Sequence, residues 1–528
     1  MEEQLVKAAP EATAETSQQF RSQVGHISRH SGIFFAGTIF TAGLGYLFKV
    51  YLARVLGPKE LGLYALGMTL VSFVGIFNTL GLPQSAVRYV AAYKASGRFK
   101  ELHSLLWRGS VLLLGANVLL AAVLLWFGKV VAVYFYHSPT LVKYLPFFAF
   151  IMLFSVLSSF YSKVLAGYRD LKLRTLYVNF IGGPLNMLIA VLLISLGMGL
   201  KGYLSAQIVS AAVVSVLLLG AVRHFTPVAA RLFAQSGAFP NKEIWSFSTA
   251  MLGIGFLEFL MAQVDKVALG FYKGAREVGI YSVAAALVVY VPLVLNSVNQ
   301  IFAPTIADLH ARGERTLLAR LFQSLTKWVL GITLPLAMVI MVFAHPLMRI
   351  FGSDFEVGWP ILIIGTLGQL INCGVGSVGF LLLMSGNEKR LIKVQAVMAV
   401  VMVVASIGLV PIWGIYGAAV AGAITNIGMN GWNLLEVRKA MGLTPYNRSY
   451  LRLLLPTGMT LAVILALKRY ELVFHHNWLV VATAMVAAYS VFPAVFYFTA
   501  GLDADDRLIA SALWSRMRGI FLGSGVAA

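Results

Sequence analysis

Lys49 and Arg54 stand in one apolar stretch of this 528-residue chain, and Glu258, Asp265 and Lys266 stand in another. A charge surrounded by hydrocarbon is costly, so such residues usually face a bundle interior or a wet cavity. There Lys49, Arg54 and Lys266 can meet an anionic group, while Glu258 or Asp265 can take up a proton or a sodium ion. Glu258 and Asp265 are seven residues apart and share one helical face, about two turns up the same wall. Lys266 is turned roughly 100° from Asp265, the step of one helical residue. The competing account is plainer: Lys49 and Lys266 snorkel to the interface, Arg54 anchors there, and Asp265 neutralises a neighbouring cation.

Uncharged polar residues add a second set. Asn296, Asn299 and Gln300 fall at i, i+3 and i+4 in an apolar stretch that also holds Pro292, and Asn78 lies in an earlier one. Such groups suit sugar hydroxyls, and equally suit helix-to-helix hydrogen bonds that need no ligand. Asn179 and Asn186, across the kink expected from Pro184, and the Asn426, Asn430 and Asn433 face read instead as helix-to-helix hydrogen bonding, worth about 0.6 kcal/mol on average in membranes. An enzyme would need a catalytic constellation in a sizeable aqueous loop. No paired carboxylates, metal-ligand spacing or phosphate-cradling glycine loop is evident, and His475-His476 is read as a surface pair. No metal site, cofactor or nucleic-acid partner is expected.

The elements that must position these residues are membrane spans. Hydrophobic residues make up 59% of the chain and charged ones 12%; the mean hydropathy is +0.81. Both lie far outside soluble averages. Apolar stretches at 32–55, 61–83, 104–128, 144–167, 175–198, 200–222, 245–271, 278–303, 323–347, 357–384, 391–412, 414–436, 449–467 and 478–499 predict an all-α polytopic protein of about fourteen spans. Counted over alternate loops, one side carries roughly 26 Lys and Arg and the other roughly 9, the bias that keeps basic loops cytoplasmic. This places both termini in the cytoplasm and accounts for most of the net charge of +20. The lone Cys373 reads as packing, and the polar N-terminus lacks the pattern of a cleaved signal peptide.

Lys49-Val50 followed by Gly57-Pro58-Lys59-Glu60-Leu61-Gly62-Leu63-Tyr64 returns as Lys266-Val267 followed by Gly274-Ala275-Arg276-Glu277-Val278-Gly279-Ile280-Tyr281, at a constant offset of 266 − 49 = 217. Ala92–Gly97 matches Asp308–Gly313 at an offset of 216. Gly167 with its following cations matches Gly386, and Lys201–Ala206 matches Tyr416–Ala421. Spans 1–6 and 7–12 are thus two like-oriented repeats, with the transport route between the bundles and spans 13–14 as an addition. The division expected is a cytoplasmic segment 1–31, an N-lobe 32–222, a linker 223–244, a C-lobe 245–436, extra spans 437–499 and a cytoplasmic tail 500–528.

Ala53-Arg54-Val55-Leu56-Gly57-Pro58-Lys59-Glu60-Leu61-Gly62-Leu63-Tyr64-Ala65, then Gly81-Leu82-Pro83 with Val87-Arg88-Tyr89, and Gly414-Ile415-Tyr416-Gly417-Ala418-Ala419 resemble the polysaccharide transporter family. That family holds the O-antigen and teichuronic acid flippases of the multidrug/oligosaccharidyl-lipid/polysaccharide superfamily. The resemblance implies a V-shaped transporter of two six-helix lobes around a central cavity, with spans 1, 2, 7 and 8 as walls. It implies a polyprenyl-diphosphate-linked oligosaccharide as substrate, flipped from the cytoplasmic to the outer leaflet of the inner membrane. Lys49, Arg54 and Lys266 would then meet diphosphate or acidic sugar, Asn78, Asn296, Asn299 and Gln300 the glycan, and Glu258 or Asp265 a coupling H+ or Na+. Membrane lipids and glycan polymerase or ligase machinery are the expected partners of a monomer. A lipid II flippase or a cation-coupled multidrug antiporter of the same superfamily remains open beside this reading, as does a non-transporting scaffold.

Overall fold

The computed structural model describes residues 43–168, 171–226, 242–469 and 477–500. The expected segment 1–31, most of the linker 223–244, the His475-His476 pair and the tail beyond residue 500 lie outside them. The described residues are helical throughout, without a strand. Lipid has no hydrogen-bonding capacity to spare for an open sheet edge or an irregular loop. Among them nine helices are long and apolar enough to cross a membrane, or ten with one bent pair, so the expected fourteen is not reached on that criterion. Part of the difference is fusion. α1 (Gly43–Asn78) runs on through the turn at Gly57, where φ is 71°, and Leu173–Phe225 joins the expected spans 5 and 6 through Gly197 and Gly199. The later helices α7 (Lys242–Lys273) and α14 (Ile415–Met441), of 32 and 27 residues, also exceed what a bilayer core requires.

By packing, the chain divides into two compact units. The first holds Val283–Val404 and Ala419–Ala528 with the chain up to Tyr51, and the second holds Leu52–Ser282 and Ala405–Ala418. In the second unit α2 (Leu82–Ala95), α3 (Phe99–Val130), α4 (Leu145–Gly167) and α6 (Gly199–Phe225) bury a core that includes Ala86, Val90, Tyr93, Leu102, Leu105, Phe160 and Leu218. The short α5 (Gly183–Leu193) precedes α6. It follows a π-helical turn over Leu176–Gly182, as expected where Pro184 removes an amide donor. In the first unit α9 (Leu293–Ala311) and α10 (Arg315–Val342) bury Phe302, Ile306, Leu309, Leu318 and Leu321. These are the residues 216 beyond Ala86, Val90, Tyr93, Leu102 and Leu105.

The hydrogen bonds repeat along with the core. At the end of α2, Ser96 N donates to Ala92 O, Arg98 N to Tyr93 O and Phe99 N to Gly97 O; at the end of α9, Arg312 N donates to Asp308 O, Glu314 N to Leu309 O and Arg315 N to Gly313 O. Gly97 and Gly313 supply the left-handed residue, with φ of 66° and 75°. The extra helices α15 (Leu454–Arg469) and α16 (Asn477–Val495) pack on α10 through Leu453, Ile464, Ala484 and Phe492.

Three spans are broken. α1 ends at Asn78, and Leu80 and Gly81 take φ of 47° and 66° before α2 begins. The eighth span divides into α8 (Ala275–Val288) and α9, bent by 55° at Val289–Pro292. The tenth divides at Gly376, φ 77°, between α11 (Trp359–Val375) and α12 (Val378–Met384). Each break frees backbone carbonyls that lipid cannot satisfy, and side chains step in. Asn117 of α3 donates its amide to Asn78 O and to Leu113 O, both at 2.8 Å. Removing that amide with Asn117→Ala is expected to cost on the order of 1 kcal/mol, read as a lowered unfolding midpoint in detergent. An unchanged midpoint would show that the break is held by packing alone.

Candidate functional site

In the second unit Glu258, Asp265 and Lys266 all lie on α7. Asp265 is 8% exposed; the Tyr281 hydroxyl donates to its Oδ2, and its Oδ1 accepts from the Lys266 backbone N at 2.8 Å. The Lys266 ammonium turns toward its own helix instead, donating to Gln263 Oε1 at 2.9 Å and lying 3.4 Å from Ala262 O. The acid is therefore held by a hydroxyl from the next span. Two turns down the same face Glu258 is exposed. The spacing placed both carboxylates on one wall, and they differ in surroundings: Asp265 is buried against the Tyr281 hydroxyl of α8, and Glu258 is exposed. Phe73 of α1 meets Phe259 at 5.4 Å between ring centroids, beside Glu258 in the sequence. Arg54 is exposed, one turn before Gly57. Asn78 is buried at the break of the second span, where its carbonyl is the Asn117 acceptor.

In the first unit Lys49 is exposed, and its Nζ lies 5.6 Å from the centroid of the Tyr290 ring. Tyr290 stands in the break of the eighth span. One helical turn before Lys49, Tyr46 packs edge-on against Phe351 at 5.6 Å. Beyond the break, Asn296 and Gln300 are exposed one turn apart, whereas Asn299 is buried and its Oδ1 accepts from the Ser377 hydroxyl. Asn299 thus ties α9 to the Gly376 break, a helix-to-helix use, and of the stripe Asn296 and Gln300 stay accessible. Asn430 likewise bonds Asn426 within α14. Among the described residues no group of three or more His, Cys, Asp or Glu is placed to hold a metal ion.

Two participants lie beyond the residues that charge and amide spacing single out. Tyr281 could be found from the repeat, since it matches Tyr64 at an offset of 217. Tyr290 carries no such signal; it matters because the helix breaks there. Lys327 of α10 is a further intramembrane cation, only 3% exposed and beside an apolar cleft of about 260 Å³ lined by Trp328, Tyr489 and Phe492. It lies only four residues inside the expected span 323–347, where a cation is easily passed over as an anchor.

A helical repeat whose spans break beside charged residues defines a multi-pass membrane transporter. The profile of polysaccharide biosynthesis proteins matches residues 27–310, more than half of the chain, and a MatE profile matches residues 250–413. The chain belongs to the polysaccharide biosynthesis protein family, within the multidrug/oligosaccharidyl-lipid/polysaccharide superfamily. It is similar to the succinoglycan biosynthesis transport protein ExoT of Rhizobium meliloti, 26% identical over 330 residues, and the match spans 61% of this chain and 62% of that protein. It is also similar to the probable flippase AglR of Haloferax volcanii, 21% identical over 423 residues, 78% of this chain and 83% of that one. Among solved structures, the lipid II flippase MurJ in an inward closed conformation superposes with a TM-score of 0.69 at 17% identity, over 88% of this chain and 99% of that one. An inward-facing multidrug resistance MATE transporter superposes with a TM-score of 0.60 at 15% identity, over 75% and 94%. At such identities the likeness is one of fold, and these neighbours are transporters, not enzymes.

Tyr281→Phe withdraws the hydroxyl from a buried carboxylate and should destabilise the protein by about 1–3 kcal/mol. Asp265→Asn in the same background should restore part of the loss, because an amide oxygen asks less of its donors than a buried charge. Thermal unfolding of the two single variants and the double variant checks this, and strictly additive losses would show that the pair is not coupled.

Proposed function

We propose that this transporter is a flippase that moves a polyprenyl-diphosphate-linked oligosaccharide from the cytoplasmic to the outer leaflet by alternating access, coupled to a proton or sodium ion. The observation that carries this reading is Lys49: an exposed cation beside the Tyr290 ring, at the point where the eighth span breaks. A diphosphate needs a cation, a sugar ring stacks on an aromatic face, and accessible carboxamides such as Asn296 and Gln300 serve sugar hydroxyls. Neither a glycan nor a diphosphate crosses hydrocarbon without such partners. Lys266 and Arg54 are the cations that the second unit offers to an anionic group in this reading. Asp265, buried yet joined to a neighbouring span by Tyr281, suits an ion-coupling acid, since a change in its charge alters a bond between two spans. Glu258, exposed on the same face, is the acid that takes up the ion first. The protein acts as a monomer in the inner membrane with both termini cytoplasmic, handing its product to polymerase or ligase machinery.

The family match and the similarity to a succinoglycan transport protein support a polysaccharide-type substrate. One observation favours a second reading, transport of lipid II: the fold superposes on 99% of a lipid II flippase. Cells carrying Lys49→Ala, Lys266→Ala or Glu258→Gln should express the protein normally, lose surface glycan by at least about tenfold, the effect of losing a charge-assisted bond, and accumulate the lipid-linked intermediate on the cytoplasmic face. Full export by all three single variants would remove these positions from the site. Accumulated lipid II in place of the glycan intermediate would select the second reading.

A further inference from the structure

The two copies of the repeated motif meet each other at their glycines, inside the second unit. A Cβ added to Gly62 would fall on the Ala275 carbonyl oxygen and lie 3.0 Å from Gly279 N; one added to Gly279 would fall on the Pro58 carbonyl oxygen and lie 2.9 Å from Gly62 N. Both 279 − 62 and 275 − 58 equal 217, so the contact is reciprocal under the repeat: each arm presents one carbonyl and receives one. Leu61 and Leu63 on one arm, and Val278 and Ile280 on the other, are buried around it. Farther along, a Cβ on Gly270 would lie 2.5 Å from Leu66 Cδ2 and 2.9 Å from the Tyr136 ring, a second close approach between the arms' helices and their neighbours. Each arm is also anchored from behind, two residues past its glycine. The Tyr64 hydroxyl accepts from Gln207 Nε2 at 2.9 Å, and the Tyr281 hydroxyl donates to Asp265.

We propose that Gly62 and Gly279 form the outer latch of the transporter, a backbone-to-backbone seal made in this state and parted when a headgroup leaves on the outer side. The inference rests on the flippase reading for its need of an outer exit. A gate must be tight enough to exclude water and weak enough to part. Two main chains in van der Waals contact meet the first demand, and only hydrogen at both positions allows that approach. The second demand is met because the closest approach is made by main chains, whose carbonyl contacts are individually weak.

Cysteines introduced by Lys59→Cys and Arg276→Cys, on the exposed flanks of the contact, should be joined by a short reducible bis-thiosulfonate reagent. The joined protein should lose export, and reduction should restore it. Export by fully cross-linked protein, or failure of the pair to cross-link, would overturn the latch. A second arm needs no substrate. In a Cys373→Ala, Phe73→Cys background, Gly62→Ala and Gly279→Ala should each raise labelling by an impermeant maleimide added outside by at least about fivefold, the effect of overpacking one state. Gly115→Ala, whose added Cβ has nothing within 4 Å, should leave labelling unchanged, and monodisperse elution in detergent confirms folding. Labelling of both glycine variants at the parent rate would also overturn the proposal. Raised labelling in a protein that moves no glycan would leave the latch standing and remove the substrate assigned above.

Discussion

Hydrocarbon donates and accepts no hydrogen bonds, and under that constraint the polar residues about the breaks in these spans meet one of two fates. Some are spent on the helices themselves. Thr69, Thr326 and Thr425 return their hydroxyls to the carbonyl four residues back, Asn117 serves the break after Asn78, and Asn299 with Ser377 joins α9 to the break at Gly376. Others are left exposed: Lys49, Glu258, Asn296 and Gln300. The second group is small, and in the first unit it gathers about the bend of the eighth span. The satisfied polar groups maintain the irregular backbone at the breaks, and the exposed ones are left accessible beside it.

The repeat shows how much of this is carried by packing and how much by particular side chains. Core positions in α2 and α3 recur 216 residues later in α9 and α10, and the hydrogen bonds around Gly97 recur around Gly313 with the same donors and acceptors. The identities differ freely, Ala86 against Phe302 and Tyr93 against Leu309, because a core asks for volume and a turn asks for a left-handed residue. At Gly62 and Gly279 the tolerance disappears. Neither glycine admits even a methyl group, and both repeats keep hydrogen there.

What could be read from the residues was whatever depends on period and solvent: helices throughout, the repeated motif, and the cost of Lys49, Glu258 and Asp265 in lipid. What could not be read depends on which neighbour arrives. Glu258 and Asp265 are equivalent by helical phase, yet one is exposed and the other is buried against a hydroxyl of the next span. Charge pairing would have given Asp265 a cation, whereas the structure gives it the Tyr281 hydroxyl and turns Lys266 to Gln263. The Asn296, Asn299 and Gln300 stripe reads as one surface, yet it straddles a boundary. Asn299 meets Ser377 only because the tenth span opens at Gly376. The nine or ten long apolar helices among the described residues differ from the expected fourteen stretches partly because a glycine with positive φ can bend a chain without ending its helix.

The two tyrosines behind the glycines mark where the halves stopped being equivalent. Tyr64 and Tyr281 occupy matched positions and both use their hydroxyls, but Tyr64 accepts from a carboxamide and Tyr281 donates to a carboxylate. Gln207 cannot change its charge, and Asp265 can. A bond from a hydroxyl to a carboxylate is charge-assisted and stronger than its neutral counterpart, and it is weakened when the acid is neutralised. In this structure the first arm is thus tied to a neighbouring helix by a neutral pair and the second by a charge-assisted one, so the matched tyrosines share a position in the repeat but not the kind or the source of their partner.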